Sequence, residues 1–172
     1  MVRLSIPTPI GFLVISGTET HIQEAHFSDR PFPEEPANSL WFEEVRKQTD
    51  AFFAGELTQF NLPLDLKGTA FQRSVWAVVS MIPFGETRTY LEIAEKLGNE
   101  KLTRAVGQAN AHNPCLLFVP CHRVIGGTGN LTGYSGGTNR KFWLLKHENS
   151  PKFEISQLTL FDTAETQPDH GN

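Results

Sequence analysis

Between residues 71 and 111 the chain is punctuated so densely that short packed helices are the natural way to fold it. Phe71, Val75, Val78, Val79 and Ile82 recur at i, i+4, i+7, i+8 and i+11, one apolar stripe, and Pro83-Phe84-Gly85 ends the helix that carries it. Thr89 and Glu92 have capping-box spacing, each side chain able to satisfy a backbone N–H at the other position, and Gly98 closes the helix they open. A short turn then leads to a further helix with Leu102, Ala105, Val106 and Ala109 as its core face. Two short helices joined by a glycine-containing turn form a helix-turn-helix. Thr103, Arg104, Gly107 and Ala111 lie on the outward side of the second helix. A mid-helix glycine costs about 1 kcal/mol against alanine, so close approach by another surface explains Gly107, and the arginine beside it points towards DNA. Tight packing against another part of the chain is the alternative.

Charge partitions along the chain in a way that supports this. Residues 1–67 hold five Lys/Arg against ten Asp/Glu (−5), residues 68–150 nine against five (+4), and residues 151–172 one against four (−3). A net charge of −4 therefore conceals a basic middle segment able to meet phosphates. At 172 residues the chain suits one ordinary domain or two small ones, with boundaries expected at 1–67, 68–150 and an acidic, flexible tail 151–172. In the first segment, Phe12 to Ser16 and Ile22 to Phe27 read as strands across the turn Gly17-Thr18-Glu19, Pro31, Pro33 and Pro36 mark a loop, and a helix runs from Ser39 to Gly55. Apolar runs are too short to span a membrane, and the N-terminus lacks the apolar centre of a signal peptide. Two unpaired cysteines fit a reducing compartment, so a cytoplasmic location is expected.

Pro120-Cys121-His122-Arg123-Val124 carries the chemistry. The apolar run Leu116 to Val119 reads as a buried strand that delivers Cys121 to the mouth of a site, beside a base and the glycine-rich stretch Gly126 to Gly129. A free thiol has a pKa of about 8.5 and needs an adjacent base or cation to attack at neutral pH. Successive side chains of an extended chain face opposite ways, so His122 reaches the sulfur only through a water or a turn. Burial of Cys121 as a small hydrophobe is the competing reading. Cys115, after Asn113-Pro114, is expected to be an inert buried thiol. His112, Cys115, Cys121 and His122 match no usual zinc spacing.

Taken together these residues resemble the O6-alkylguanine-DNA alkyltransferase family. The matches are Phe71 with Val75-Trp76, Ile82 to Thr87, Tyr90, Arg104 to Gly107 with Asn110, Asn113-Pro114, Pro120 to Val124, Gly133 to Gly137, Lys141, and Trp143-Leu144-Leu145 with His147-Glu148. They run in family order over about half the chain, and Pro9-Ile10-Gly11 matches the family's less distinctive first domain.

The resemblance implies an α+β protein: a small mixed α/β N-terminal domain, ribonuclease-H-like, followed by a helical C-terminal domain with the helix-turn-helix. It implies DNA repair, in which O6-alkylguanine, with O4-alkylthymine as a second candidate, is flipped from duplex DNA and its alkyl group moves irreversibly to Cys121, once per molecule. His122 would take the thiol proton through a water, Glu148 would orient His122, Tyr134 would bond the guanine ring, and Asn113 would hold the active-site turn. Arg104 would intercalate and Tyr90 press the adjoining phosphate. Gly107, Ala105, Thr103, Ala111 and Arg123 complete the minor-groove surface, and Val124, Ser135 and Gly136 line the base pocket. No metal and no organic cofactor is implied, and a monomer without membrane contact is expected.

In the tail, Gln157, Leu158, Leu160 and Phe161 resemble the short peptide by which bacterial repair proteins bind the sliding clamp, with packing onto the body as the alternative. Two other functions compete with repair. Alkyltransferase-like lesion-binding proteins lack the acceptor cysteine, whereas this chain has Cys121. A thiol hydrolase or redox enzyme would need turnover or a resolving cysteine, for which Cys115 is poorly suited.

Overall fold

The computed structural model describes residues 2–33, 40–131 and 133–149. The fold is α+β, as expected. Three antiparallel strands, β1 (Val2–Thr8), β2 (Gly11–Gly17) and β3 (Ile22–Ser28), form a sheet in the order β1-β2-β3. β2 and β3 are the strands read from the sequence. β1 is an addition, and its Pro7 is tolerated because β1 is an edge strand. Helix α1 (Leu40–Phe53) follows and stops before Gly55, whose φ of 77° only glycine adopts readily.

The helical half is built as its punctuation demands. α2 (Ala70–Ser80) starts at a capping box between Thr69 and Gln72. Its buried face is Val75, Trp76 and Val79, and the Trp76 indole N–H donates to Ala109 O at 2.8 Å, tying α2 to the helix it packs on. α3 (Tyr90–Lys96) has the Thr89/Glu92 capping box, and Gly98 lies just past its end at φ 88°. A 3₁₀ turn (Glu100–Leu102) leads to α4 (Thr103–Ala111), completing the helix-turn-helix. The core face of α4 is Val106, Ala109 and Asn110. Ala105 and Leu102, expected inside, are only half-buried because the helix is rotated to send Asn110 inward. A short parallel pair, β4 (Arg88–Thr89) with β5 (Val124–Ile125), and α5 (Thr138–His147) complete the chain.

One hydrophobic core runs through both halves, from Leu4, Ile6, Leu13 and Ile15 to Val106, Leu116, Val119 and Leu144. The sheet also reaches the loop that precedes the reactive segment: Ala25 N donates to Pro114 O at 2.8 Å and Leu116 N to Ala25 O at 2.9 Å. Among the described residues no helix is long and apolar enough to cross a membrane.

Candidate active site

The run Leu116 to Val119 is a tight turn, which corrects the expected strand. Leu117 has a φ of 76°, a conformation costly for a branched side chain, and Val119 N closes the turn on Cys115 O at 2.9 Å. Asn113, arriving from the end of α4, holds this geometry. Its Oδ1 accepts from Cys115 N at 3.0 Å, and its Nδ2 donates to Val119 O at 2.9 Å and reaches the Cys121 sulfur at 2.9 Å. Cys121, His122 and Arg123 then form one 3₁₀ turn. Three residues per turn send adjacent side chains about 120° apart, so sulfur and imidazole leave the backbone in different directions without the opposition an extended chain imposes.

His122 is fully buried, and its Nε2 lies 2.8 Å from Glu148 Oε1. Burial pushes the imidazole below its ordinary value in spite of the carboxylate beside it, so the ring is neutral at pH 7. A neutral ring facing a carboxylate carries its proton on Nε2 and donates it to Glu148. Nδ1 is left as an acceptor, buried and without a partner among the described residues. Glu148 would be raised by burial alone, but His122 and Arg123 outweigh that and hold its carboxyl at about 2.

Arg123 departs from its expected place on the DNA surface. Its Nε and Nη2 fork onto Glu148 at 2.9 Å each and its Nη1 donates to Ile82 O at 2.6 Å, so a buried guanidinium spends its donors inside the protein. Cys121 likewise departs from the expected open mouth: it is only 1 % exposed. Burial raises its thiol to about 11, opposed by the Asn113 hydrogen bond and the nearby charge of Lys141. The resting sulfur is therefore a covered thiol.

The remaining expected residues frame this centre. Tyr134 is buried, packs edge-on to His122 at 6.5 Å between ring centroids, and has a hydroxyl without a partner among the described residues. Val124 and Gly136 are buried and Ser135 is exposed. Tyr90 opens α3, half-buried. Its ring carbon lies 3.8 Å from where a Cβ on Gly107 would stand, and its hydroxyl 3.8 Å from the same position on Gly133. It therefore bridges the helix-turn-helix and the 133–137 loop. Arg104 is exposed, and Thr103, Ala105, Gly107 and Ala111 are half-buried on the same outer side. The clamp-like residues Gln157, Leu158, Leu160 and Phe161 lie outside the described residues.

Lys141, which the sequence assigns no role, is a fully buried lysine whose Nζ donates to Val124 O at 2.6 Å. Burial lowers it to about 8. Its signal is its register, since Lys141, Leu144, Leu145 and Glu148 fall at i, i+3, i+4 and i+7, a buried face of α5 on which a lysine is out of place. Cys115 is buried with its thiol raised to about 12, as expected of an inert cysteine. Among the described residues no three His, Cys, Asp or Glu side chains group to hold a metal ion.

Residues 1–66 match the family model of the 6-O-methylguanine DNA methyltransferase ribonuclease-like domain, and residues 70–150 that of the DNA binding domain. The methylated-DNA–protein-cysteine methyltransferase of Mycolicibacterium paratuberculosis is 46 % identical over 164 residues, 92 % of this chain and 97 % of that protein. That of Methanosarcina acetivorans is 47 % identical over 148 residues, covering 83 % and 95 %. Among solved structures, Mycobacterium tuberculosis OGT in complex with DNA superposes with a TM-score of 0.78 at 45 % identity, covering 85 % of this chain and 91 % of that one.

Proposed function

The chain belongs to the 6-O-methylguanine DNA methyltransferase family, and on that premise we propose that it repairs alkylated DNA by moving the alkyl group from guanine O6 to the sulfur of Cys121. The observation that carries this reading is the setting of His122: fully buried, with Nε2 2.8 Å from Glu148 Oε1 and with Nδ1, next to the cysteine in the chain, without a partner among the described residues. That is a base waiting for one proton. The alternative of a lesion-binding protein without transfer is not favoured, because Cys121 is present.

The reaction balances within the protein, its substrate and solvent. The thiol proton passes to Nδ1 of His122 through a water as the S–C bond forms and the O6–C bond breaks, and the guanine, displaced as an anion and still part of its strand, takes up one proton from solvent, matched by the proton that His122 later returns to solvent. The imidazolium so formed faces the Glu148 carboxylate, whose depressed pKa keeps it ionised. The Tyr134 hydroxyl, without a partner among the described residues, offers a donor to the base as charge develops on it. Asn113 keeps the sulfur aimed, and Val124, Ser135 and Gly136 line the base. A thioether does not revert, so each molecule acts once.

DNA is engaged through the helix-turn-helix, with Gly107, Thr103, Ala105 and Ala111 against the minor groove, Arg104 replacing the flipped nucleotide and Tyr90 pressing the adjoining phosphate. Because Cys121 is covered, base entry has to open the site, which couples proton transfer to binding. The chain works as a cytoplasmic monomer. Its tail residues Gln157, Leu158, Leu160 and Phe161 engage the bacterial sliding clamp, and a tail peptide that fails to bind purified clamp would remove that part.

Intact-mass measurement after mixing with duplex DNA containing O6-methylguanine tests the main proposal. One methyl group is expected, located on Cys121, and Cys121→Ser should acquire none. Uptake elsewhere, or more than one methyl per molecule, contradicts it.

A further inference from the structure

Arg140 takes no part in the steps above, yet it joins the N-terminal sheet to the loop that lines the base pocket. It borders a crevice of about 580 Å³ that also includes Ile10, Asp29, Gly136, Gly137 and Trp143. Its Nε donates to Ile10 O in the β1–β2 turn at 2.8 Å, its Nη1 to Gly136 O at 3.2 Å, and its Nη2 pairs with Asp29 just beyond β3. The guanidinium also lies 5.7 Å from the ring centre of Phe27. Three segments distant in sequence thus converge on one planar fork, a geometry that lysine cannot reproduce.

Both ends of this link are shaped to receive it. Gly11 has a φ of 108°, and a Cβ there would stand 2.6 Å from Ser28 O, a clash with backbone, and 3.1 Å from Arg140 Nη2, close enough to crowd the guanidinium. At the other end, a Cβ on Gly136 would lie 2.4 Å from the Tyr134 ring, so the carbonyl held by Arg140 belongs to the residue against which Tyr134 packs. Gly137 N bonds Tyr134 O at 3.0 Å, closing the loop on itself. Asp29 is 90 % exposed, so its ion pair contributes little energy. The two carbonyl acceptors fix the position, and Asp29 orients the fork.

We propose that Arg140 is a positioning residue for alkyl transfer, bracing the 133–137 loop against the N-terminal sheet so that the sheet, which supplies no reacting group, sets where Tyr134, Ser135 and Gly136 stand relative to Cys121. This rests on the reaction proposed above. Small displacements of a positioned group cost up to about 10²-fold in rate. The brace therefore acts on transfer, whereas DNA affinity depends on the helix-turn-helix on another side of the loop.

The test compares wild type with Arg140→Ala and Arg140→Lys in three measurements: backbone amide hydrogen exchange across residues 133–137, the rate of methyl transfer from O6-methylguanine duplex, and affinity for undamaged duplex in a Cys121→Ser background. Arg140→Ala should speed exchange in the loop and slow transfer at least about tenfold, with duplex affinity within twofold of wild type. Arg140→Lys, which keeps the charge and loses the fork, should fall between. If Arg140→Ala does not fold, Asp29→Ala, at an exposed position, should show the same changes in smaller measure. Unchanged loop exchange, transfer equal to wild type, or loss of duplex affinity in step with rate would overturn the brace. A wild-type protein that takes up no methyl would overturn the reaction itself, while the exchange measurement still reports on the loop.

Discussion

Nε2 of His122 and Oε1 of Glu148 stand 2.8 Å apart with no solvent exposure of either side chain, although 25 residues separate them. The carboxylate is shared with Arg123, so its removal orphans two buried groups at once. Glu148→Gln should therefore slow methyl transfer by about 10²- to 10⁴-fold, the usual contribution of a positioned acid–base group. Breaking a buried pair costs about 3–5 kcal/mol, which chemical denaturation would report. The pH dependence has a defined sign. Glu148 is held at about 2 in the native state against an ordinary value near 4.3, so its stabilisation is complete above that value and is lost as pH falls towards 2. Glu148→Gln should lack this part of the acid transition.

The covered thiol gives a second expectation. Ordinary cysteines become reactive as pH passes about 8.5, but Cys121 stays protonated to about 11 because it is buried. Alkylation of the free protein by iodoacetamide should show no inflection near 8.5. Methyl transfer should not rise between pH 7 and 9, should fall above about 8 as Lys141 loses its charge, and should decline below about 6.5, the unperturbed imidazole value, as His122, lowered by burial, begins to accept solvent protons. A rise in transfer near 8.5 would mean that the thiolate forms before DNA arrives.

Lys141 yields a third. Its charge favours the Cys121 thiolate, and its Nζ occupies Val124 O. Lys141→Met should slow transfer at neutral pH, where the lysine is charged, and leave the alkaline inflection of thiol alkylation, which lies well above the Lys141 titration, little changed. Burial lowers Lys141 to about 8, so the cost of its buried charge is present in full below that pH and fades as pH rises towards 10.4, the unfolded value. The stability of wild type relative to Lys141→Met should consequently improve between pH 8 and 10. A difference that is flat across that window would show that folded and unfolded Lys141 titrate alike, with no lowering by burial.

The helix-turn-helix was legible because its signals are local: Thr89 with Glu92, then Gly98, each acting within one turn. The nucleophile and its base were legible from their juxtaposition with the family's ordered motifs. Other features were decided by partners far along the chain. Leu116 to Val119 has the composition of a strand, yet Asn113 satisfies the backbone there, so a turn wins over β-propensity. Arg123 reads as a surface cation until Glu148 and Ile82 O take its donors. β1 passed unread because Pro7 argues against a strand in sequence, and only its edge position removes the objection.

Gly107 allows stability and function to be separated. It lies inside α4 on the outer face, and among the described residues a Cβ there would meet only the Tyr90 ring, at 3.8 and 3.9 Å, an ordinary contact distance. Nothing in the folded protein therefore requires glycine at this position, and alanine should raise stability by up to about 1 kcal/mol through helix propensity. If the bare backbone exists to approach the minor groove, the same methyl group stands between protein and DNA. Gly107→Ala should then unfold at higher denaturant concentration, bind duplex DNA more weakly, and transfer methyl more slowly at limiting DNA while its rate at saturating DNA changes little. A stabilised variant with undiminished DNA affinity would assign Gly107 to packing against Tyr90 and move the DNA surface away from this face of α4.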